Sequence, residues 1–149
     1  MAEKSFVVAN PPQAVTLGFD PGRDKCGVAA VDQSGQILER HVLAVDEVIE
    51  QLHCFLARYP INCLVMGNQT TSGQWQERLQ QAMPDNCPIV LVDERHSSLE
   101  ARDRYWELHP PQGLQRLIPK GLRQPPVPID DIVAVLLVER YRTPFPPSS

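Results

Sequence analysis

Carboxylate side chains stand at three points of this sequence where an apolar run ends or begins. They are Asp20, the pair Asp93 and Glu94, and the pair Asp130 and Asp131. If one carboxylate from each point converged, their mutual repulsion would have to be compensated by cations or protons. All-oxygen ligand sets suit Mg²⁺ or Mn²⁺ rather than zinc. Two such ions about 4 Å apart can hold a scissile phosphate and activate water.

Each point also allows a simpler interpretation. Asp20 lies between Gly18 and Gly22, which leave room for a ligand, but an Asp before Pro-Gly also makes turns. Asp93 and Glu94 are adjacent on a strand and face opposite ways, so only one of them can join Asp20. Asp130 and Asp131 diverge by about 100° on a helix, and both could simply favour its N-terminus. The residues alone leave these choices open.

The apolar pattern predicts the elements that must position these side chains. Three short strands joined by tight turns indicate an antiparallel meander, and helices then alternate with strands. The expected strands are 15–20, 26–32, 37–45, 61–66 and 88–92, and the expected helices are 46–59, 74–83, 97–108 and 130–141. This order predicts an α/β fold with a mixed sheet flanked by helices, and a site near the carboxyl ends of the parallel strands.

Length and composition indicate one domain of ordinary size within 149 residues. We expect the domain over 14–142, a loose lead-in over 1–13 and a disordered tail over 143–149. No apolar run is long enough to span a membrane, and the first residues lack signal-peptide character, so a cytoplasmic location is expected. The four cysteines and four histidines show no disulfide or zinc spacing, which favours reduced thiols.

The net charge of −4 excludes a generally basic nucleic-acid binder. Charge is uneven, however, because the segment 101–123 is locally basic. Its cations are Arg102, Arg104, Arg116, Lys120 and Arg123. Such a surface can meet phosphates even in an acidic protein, although on charge alone a solvated face is the favoured explanation.

Three segments together resemble the motifs of a known family. They are 17–32, which contains Leu-Gly-Phe-Asp-Pro-Gly, 92–102, which contains Asp-Glu-Arg-His-Ser-Ser, and 129–141, which contains Asp-Asp before an apolar helix. In this order they resemble the YqgF/RuvX family, whose members are RuvC-like proteins of the RNase H superfamily. The resemblance implies an RNase H-like mixed sheet with three antiparallel strands followed by two parallel ones. It also implies a divalent-metal nuclease in which Asp20, Glu94 and Asp130 are the metal ligands.

The resemblance implies a nucleic-acid substrate, either precursor 16S ribosomal RNA or branched DNA of the Holliday-junction type, and we favour the RNA. The side chains expected to contact it are Arg95, Thr70, Thr71, Ser72, Arg116, Lys120 and Arg123. The turn 23–26, the loop 67–72 and the proline-rich segment 105–128 depart from the family pattern, which indicates a divergent branch. A non-catalytic binding member is the main alternative. An ATP-binding protein is disfavoured, because that class needs two such domains. The protein could be a monomer or a homodimer.

Overall fold

The structure, a computed structural model, describes residues 14–68, 72–93, 95, 97–119 and 122–143. Its strands are β1 (Val15–Asp20), β2 (Lys25–Asp32), β3 (Ile37–Ala44), β4 (Ile61–Gly67) and β5 (Ile89–Val92). Its helices are α1 (Val48–Arg58), α2 (Ser72–Ala82), α3 (Ser97–Leu108) and α4 (Asp130–Arg142). Short 3₁₀ turns occupy Val45–Glu47 and Gly113–Leu117. The predicted order of strands and helices is confirmed.

The strands described form one mixed sheet in the order β3-β2-β1-β4-β5. β1, β2 and β3 pair antiparallel, while β4 pairs parallel with β1, and β5 pairs parallel with β4. The hairpin turns after β1 and β2 are short enough only for antiparallel neighbours, whereas the later strands need helical crossovers. The predicted RNase H-like arrangement of three antiparallel strands followed by parallel ones is therefore confirmed.

One face of the sheet packs against α1 and α2. Val15, Leu17 and Phe19 of β1 alternate onto this face and are fully buried against apolar residues of both helices. The ring of Phe19 meets Trp75 of α2 edge to face, with centroids 5.1 Å apart. Because α2 follows β4 directly, this packing fixes where the chain leaves the carboxyl end of β4.

The opposite face of the sheet packs against α3 and α4. Helix α4 lies across β1 and β2, and all of its residues from Asp131 to Val138 are buried. This burial agrees with the prediction from its uniformly apolar sequence. A buried helix directly over the central strand brings its own N-terminus to the carboxyl end of β1.

The differences from the predicted boundaries are small. Strand β2 begins one residue earlier than expected, at Lys25, and α2 begins two residues earlier, at Ser72. The helix predicted from residue 46 begins at Val48, because a 3₁₀ turn precedes it. The predicted lead-in 1–13 and the tail from 144 onward lie outside the described residues. Among the helices described, none has the length and apolar character needed to cross a membrane.

Candidate active site

The carboxyl groups of Asp20 and Asp130 meet at the carboxyl end of β1. Asp20 is the last residue of β1 and is 8% exposed, and Asp130 is the first residue of α4 and is partly buried. The two side chains are joined by a hydrogen bond. Two carboxyls this close repel each other when both are ionised, and a proton or a cation between them relieves that repulsion. The structure thus brings two of the three predicted site residues together.

Two glycines allow α4 to approach the sheet this closely. Gly18 precedes Asp20 on the same face of β1, and Gly27 of β2 pairs directly with Asp20. A Cβ atom on Gly18 would lie 2.1 Å from the Ala134 carbonyl oxygen, and one on Gly27 would lie 1.9 Å from the Asp130 carbonyl oxygen. No larger residue fits either position without movement of the helix. The lack of a side chain at Gly18 and at Gly27 therefore determines how close Asp130 lies to the sheet.

The side chain of Asp131 points away from that of Asp130. Its Oδ2 atom accepts a 2.6 Å bond from Nη1 of Arg40 in β3, and the residue is 7% exposed. Its Oδ1 atom accepts the backbone N–H of Ile132. Asp131 is thus held by an ion pair that ties α4 to β3, while Asp130 faces Asp20.

The acidic pair after β5 is described only in part. Asp93 accepts hydrogen bonds from the backbone N–H of Arg95 and from its Nε atom, at 2.9 and 2.6 Å. The backbone bond from Arg95 is the main reason why the pKa of Asp93 is lowered. The Asp93 carbonyl oxygen also accepts a bond from Arg140 of α4. Asp93 therefore shapes the turn, and Glu94, the predicted ligand, lies outside the described residues.

Burial raises the pKa of Asp130 above its ordinary value, and the negative charge of Asp131 adds to this effect. The hydrogen bond with Asp20 and the positive charge of Lys25 act in the opposite direction. Burial likewise raises the pKa of the nearby Cys26 thiol to about 11, with smaller contributions from Asp20 and Asp130. Cys26 is therefore a neutral thiol at physiological pH, and the charged ligands available here are oxygens.

The donor chemistry of this pair suits a hard divalent cation. Two adjacent carboxyls provide oxygen ligands whose charge a cation such as Mg²⁺ or Mn²⁺ would compensate. In the part of the chain that the structure describes, no group of three or more His, Cys, Asp or Glu residues is arranged to hold a metal. Asp20 and Asp130 are two of the three predicted ligands, and the third follows β5 at position 94.

The predicted nucleic-acid contacts fall in different environments. Arg95 has a 74% exposed side chain beside Asp93, and Arg116 is exposed on the 3₁₀ turn. Arg123 is half-buried, and its Nε atom donates to the carbonyl oxygens of Gln115 and Ile118, so it braces the 3₁₀ turn Gly113–Leu117 and the residue after it. Ser72 is the first residue of α2. The other predicted contacts, Thr70, Thr71 and Lys120, lie outside the described residues.

Sequence reasoning missed two residues that build this site. Arg40 was not expected to hold Asp131, and nothing in the sequence of β3 signals that contact. Gly27 did leave a signal, because it is a glycine inside an apolar strand, which often marks the close approach of another backbone.

Comparison with known structures places the fold in a class. T. thermophilus RuvC in complex with Holliday junction substrate superposes with a TM-score of 0.51 and 16% identity, over 87% of this chain and 97% of that chain. At this identity the likeness concerns the fold alone. Together with the strand order, it defines an RNase H-like fold of the RuvC kind.

Comparison of sequences narrows the class to a family. No family model matches the chain. A Xylella fastidiosa (strain M23) protein named "Putative pre-16S rRNA nuclease" is 29% identical over 145 residues, which cover 87% of this chain and 88% of the relative. The protein of the same name from strain M12 matches to the same extent. The resemblance to the YqgF/RuvX family is thus confirmed.

Proposed function

We propose that this chain is a divalent-metal-dependent nuclease that hydrolyses phosphodiester bonds in precursor 16S ribosomal RNA. The observation that carries the proposal is the hydrogen-bonded pair of Asp20 and Asp130 at the carboxyl end of the central strand. Partial burial of two adjacent carboxyls is costly unless a ligand needs them. The names of the matched relatives support a nuclease and this choice of substrate.

Each residue of the site has a distinct task in this proposal. Asp20 and Asp130 hold the metal together with Glu94, which follows β5. A bound divalent ion would supply Lewis-acid polarisation of the scissile phosphate and would offset its charge. Arg40 neutralises Asp131, so the charge at the N-terminus of α4 that faces the substrate is that of Asp130. Lys25 places positive charge beside Asp130, where a phosphate would approach, and Arg95, which is paired with Asp93 on the turn after β5, is exposed.

The test is cleavage of labelled 16S precursor by purified protein with Mn²⁺ or Mg²⁺, compared with Asp20→Asn. We expect metal-dependent cleavage that falls by a factor of roughly 100 or more in the variant, since a ligand of the reacting ion is lost. Asp85→Asn is the matched control, because Asp85 is exposed before β5, at the opposite end of the parallel strands. Its activity should equal that of the wild type.

The same assay separates this proposal from the alternatives. A four-way DNA junction is included as a second substrate, because the RuvC structure of similar fold holds one. Cleavage of the junction but not of the precursor would show that branched DNA, and not the precursor RNA, is the substrate. Failure of the wild type to cleave either substrate with either metal would support a non-catalytic binding protein and would contradict the proposal.

A further inference from the structure

A groove runs along one side of α3, between this helix and the proline-rich segment that leads into α4. Its first part is a cavity of about 290 Å³, lined by Ser98, Leu99 and Arg102 of α3 and by Gln124, Pro125, Val127, Pro128 and Ile129. Its second part is a cavity of about 400 Å³, lined by Tyr105, His109 and residues of the same segment. Neighbouring residues of one segment line both cavities, because Pro125 and Val127 line the first and Pro126 lines the second.

The groove begins beside the proposed metal site. Ile129 lines its first cavity and is the residue before Asp130, while Ser98 lies in the first turn of α3, which follows the turn after β5. Ser98, Arg102, Tyr105 and His109 recur at spacings of three and four residues, so they share one face of the helix. At 1.5 Å per residue this face extends for about 16 Å away from the carboxylates.

Arg102 is a cation without an anion in this groove. It is partly buried, and within the described parts of the chain it makes no ion pair or side-chain hydrogen bond. Its neighbour Arg104, by contrast, forms a two-pronged bond with Glu139 at 2.9 Å. A partly buried guanidinium is unfavourable unless it meets an anion, and its planar fork matches a phosphate well.

The far part of the groove has aromatic walls. Tyr105 and His109 are stacked with ring centroids 4.7 Å apart and an angle of 24° between the planes. Tyr105 is 8% exposed, whereas His109 is exposed, so one face of the stacked pair remains open to solvent. An exposed aromatic ring on the same helix face as a cation is a combination that binds unpaired nucleobases, the ring by stacking and the cation through the backbone phosphate.

We propose that this groove binds the single-stranded flank of the RNA substrate next to the cleavage point. Arg102 contacts a backbone phosphate, and a base stacks on His109. The partner is single-stranded because a duplex keeps its bases stacked inside the helix and cannot present one to this ring. This inference rests on the proposed nuclease function, and it adds a binding subsite for the strand that leaves the metal site.

The test measures binding without metal, so that it does not depend on cleavage. Fluorescence anisotropy with a labelled single-stranded oligoribonucleotide in EDTA gives the affinity at several salt concentrations. We expect Arg102→Gln to weaken binding about 3- to 10-fold and to reduce the salt slope by about 0.7. His109→Ala should weaken it about 5-fold or more. Arg102→Lys should keep the salt slope.

Arg58→Gln is the matched control for charge. Arg58 lies on α1, across the sheet from the groove, and its binding partner is Glu39. The affinity of Arg58→Gln for the oligoribonucleotide should stay within about twofold of wild type, since Arg58 lies away from the groove that the RNA is proposed to follow. If Arg102→Gln behaves like Arg58→Gln, or if the wild type binds duplex RNA as tightly as single strand, the groove proposal is overturned. Precursor cleavage by the wild type is scored separately, so a groove that binds RNA in a protein that never cleaves it would contradict the proposed function alone.

Discussion

Adjacent residues at the start of α4 have separable tasks. Asp131 is buried in an ion pair with Arg40, while Asp130 faces the Asp20 carboxyl. We expect Asp131→Asn to lower the free energy of unfolding by about 1–3 kcal/mol, because Arg40 loses its charged partner. Asp130→Asn should leave the metal-free stability equal to or above that of wild type, yet abolish Mn²⁺ binding. Urea unfolding and Mn²⁺ titration followed by paramagnetic resonance measure the two effects.

The stability of the metal-free protein should depend on pH through Asp130. The pKa of Asp130 is raised in the folded state, mainly by burial, so the folded protein holds that proton more tightly than the unfolded chain does. Stability should therefore fall as pH rises from the ordinary Asp value of 3.8 through the raised folded value. Asp130→Asn should remove this part of the decline, which urea unfolding at several pH values would measure.

The separate tasks of Asp130 and Asp131 would be contradicted if Asp131→Asn lost metal binding while keeping full stability.

The cysteine thiols differ sharply in expected reactivity. Burial raises the pKa of Cys26 and of Cys87 to about 11, and it raises that of Cys63 as well. At pH 8 these three buried thiols stay neutral, whereas Cys54 is exposed on α1. At pH 8 we expect one fast thiol per molecule with a disulfide reagent, and none in Cys54→Ser. The remaining thiols should react only after unfolding, and a second fast thiol in the native protein would contradict the buried environment.

At the scale of residues, the sequence predicted that Asp20 ends a buried strand, and the structure has it there, whereas local pattern left open which of Asp130 and Asp131 would face it. Asp20 ends an apolar strand between two glycines, and that local pattern is readable. The choice between Asp130 and Asp131 could not be made from local pattern, because it depends on Arg40, which is 91 positions away. Contacts of that separation are set by how the sheet and α4 pack, and no local preference encodes them.

At the scale of elements, the contact between α4 and the sheet depends on two missing side chains. A Cβ at Gly27 would overlap the Asp130 carbonyl, and one at Gly18 would overlap the Ala134 carbonyl. We expect Gly27→Ala and Gly18→Ala to cost about 2–3 kcal/mol each, because the helix must move away from β1 and β2. Gly27→Ala should also reduce cleavage more than Gly18→Ala does, since the displaced residue is Asp130 itself.

Gly73 of α2 provides the control for these glycine variants. A Cβ there meets nothing within 4 Å, so Gly73→Ala should be neutral or up to about 1 kcal/mol stabilising. Thermal unfolding and the precursor assay, applied to all three variants, check the comparison. Wild-type stability in Gly27→Ala would show that α4 does not rest on the sheet as described.

Periodicity was enough to predict the elements, because their burial follows simple rules. Helix α1 buries Val48, Leu52 and Phe55 on one side, and β1 alternates between two packed faces. The boundaries moved where local turns intervened, as at Val45–Glu47 before α1. The segment 109–128 carries no periodic pattern, so its short 3₁₀ turn and its contact with α3 could not be foreseen.

At the scale of the whole molecule, the packed cores lie on the two faces of the sheet, and the 3₁₀ turn Gly113–Leu117 lies outside them. Leu137 of α4 is fully buried among the residues that pack between α3, α4 and the sheet. Leu117, in the 3₁₀ turn, is 78% exposed, and its neighbours Leu114 and Leu122 are exposed as well. Leucine thus occurs both fully buried, at position 137, and largely exposed, at position 117.

Truncation of these two leucines should therefore give opposite results. We expect Leu137→Ala to lower the free energy of unfolding by about 2–5 kcal/mol, because it removes buried methyl groups and leaves a cavity under α4. Leu117→Ala should change it by no more than about 0.5 kcal/mol, since its side chain is already in water. Urea denaturation at equal protein concentration measures both changes. A loss above about 1 kcal/mol for Leu117→Ala would contradict this exposure and would mean that Leu117 is covered in solution. The cover would be either a second copy of the chain or another part of the same chain. Measurements at several protein concentrations would distinguish the two, because only association weakens as the protein concentration falls.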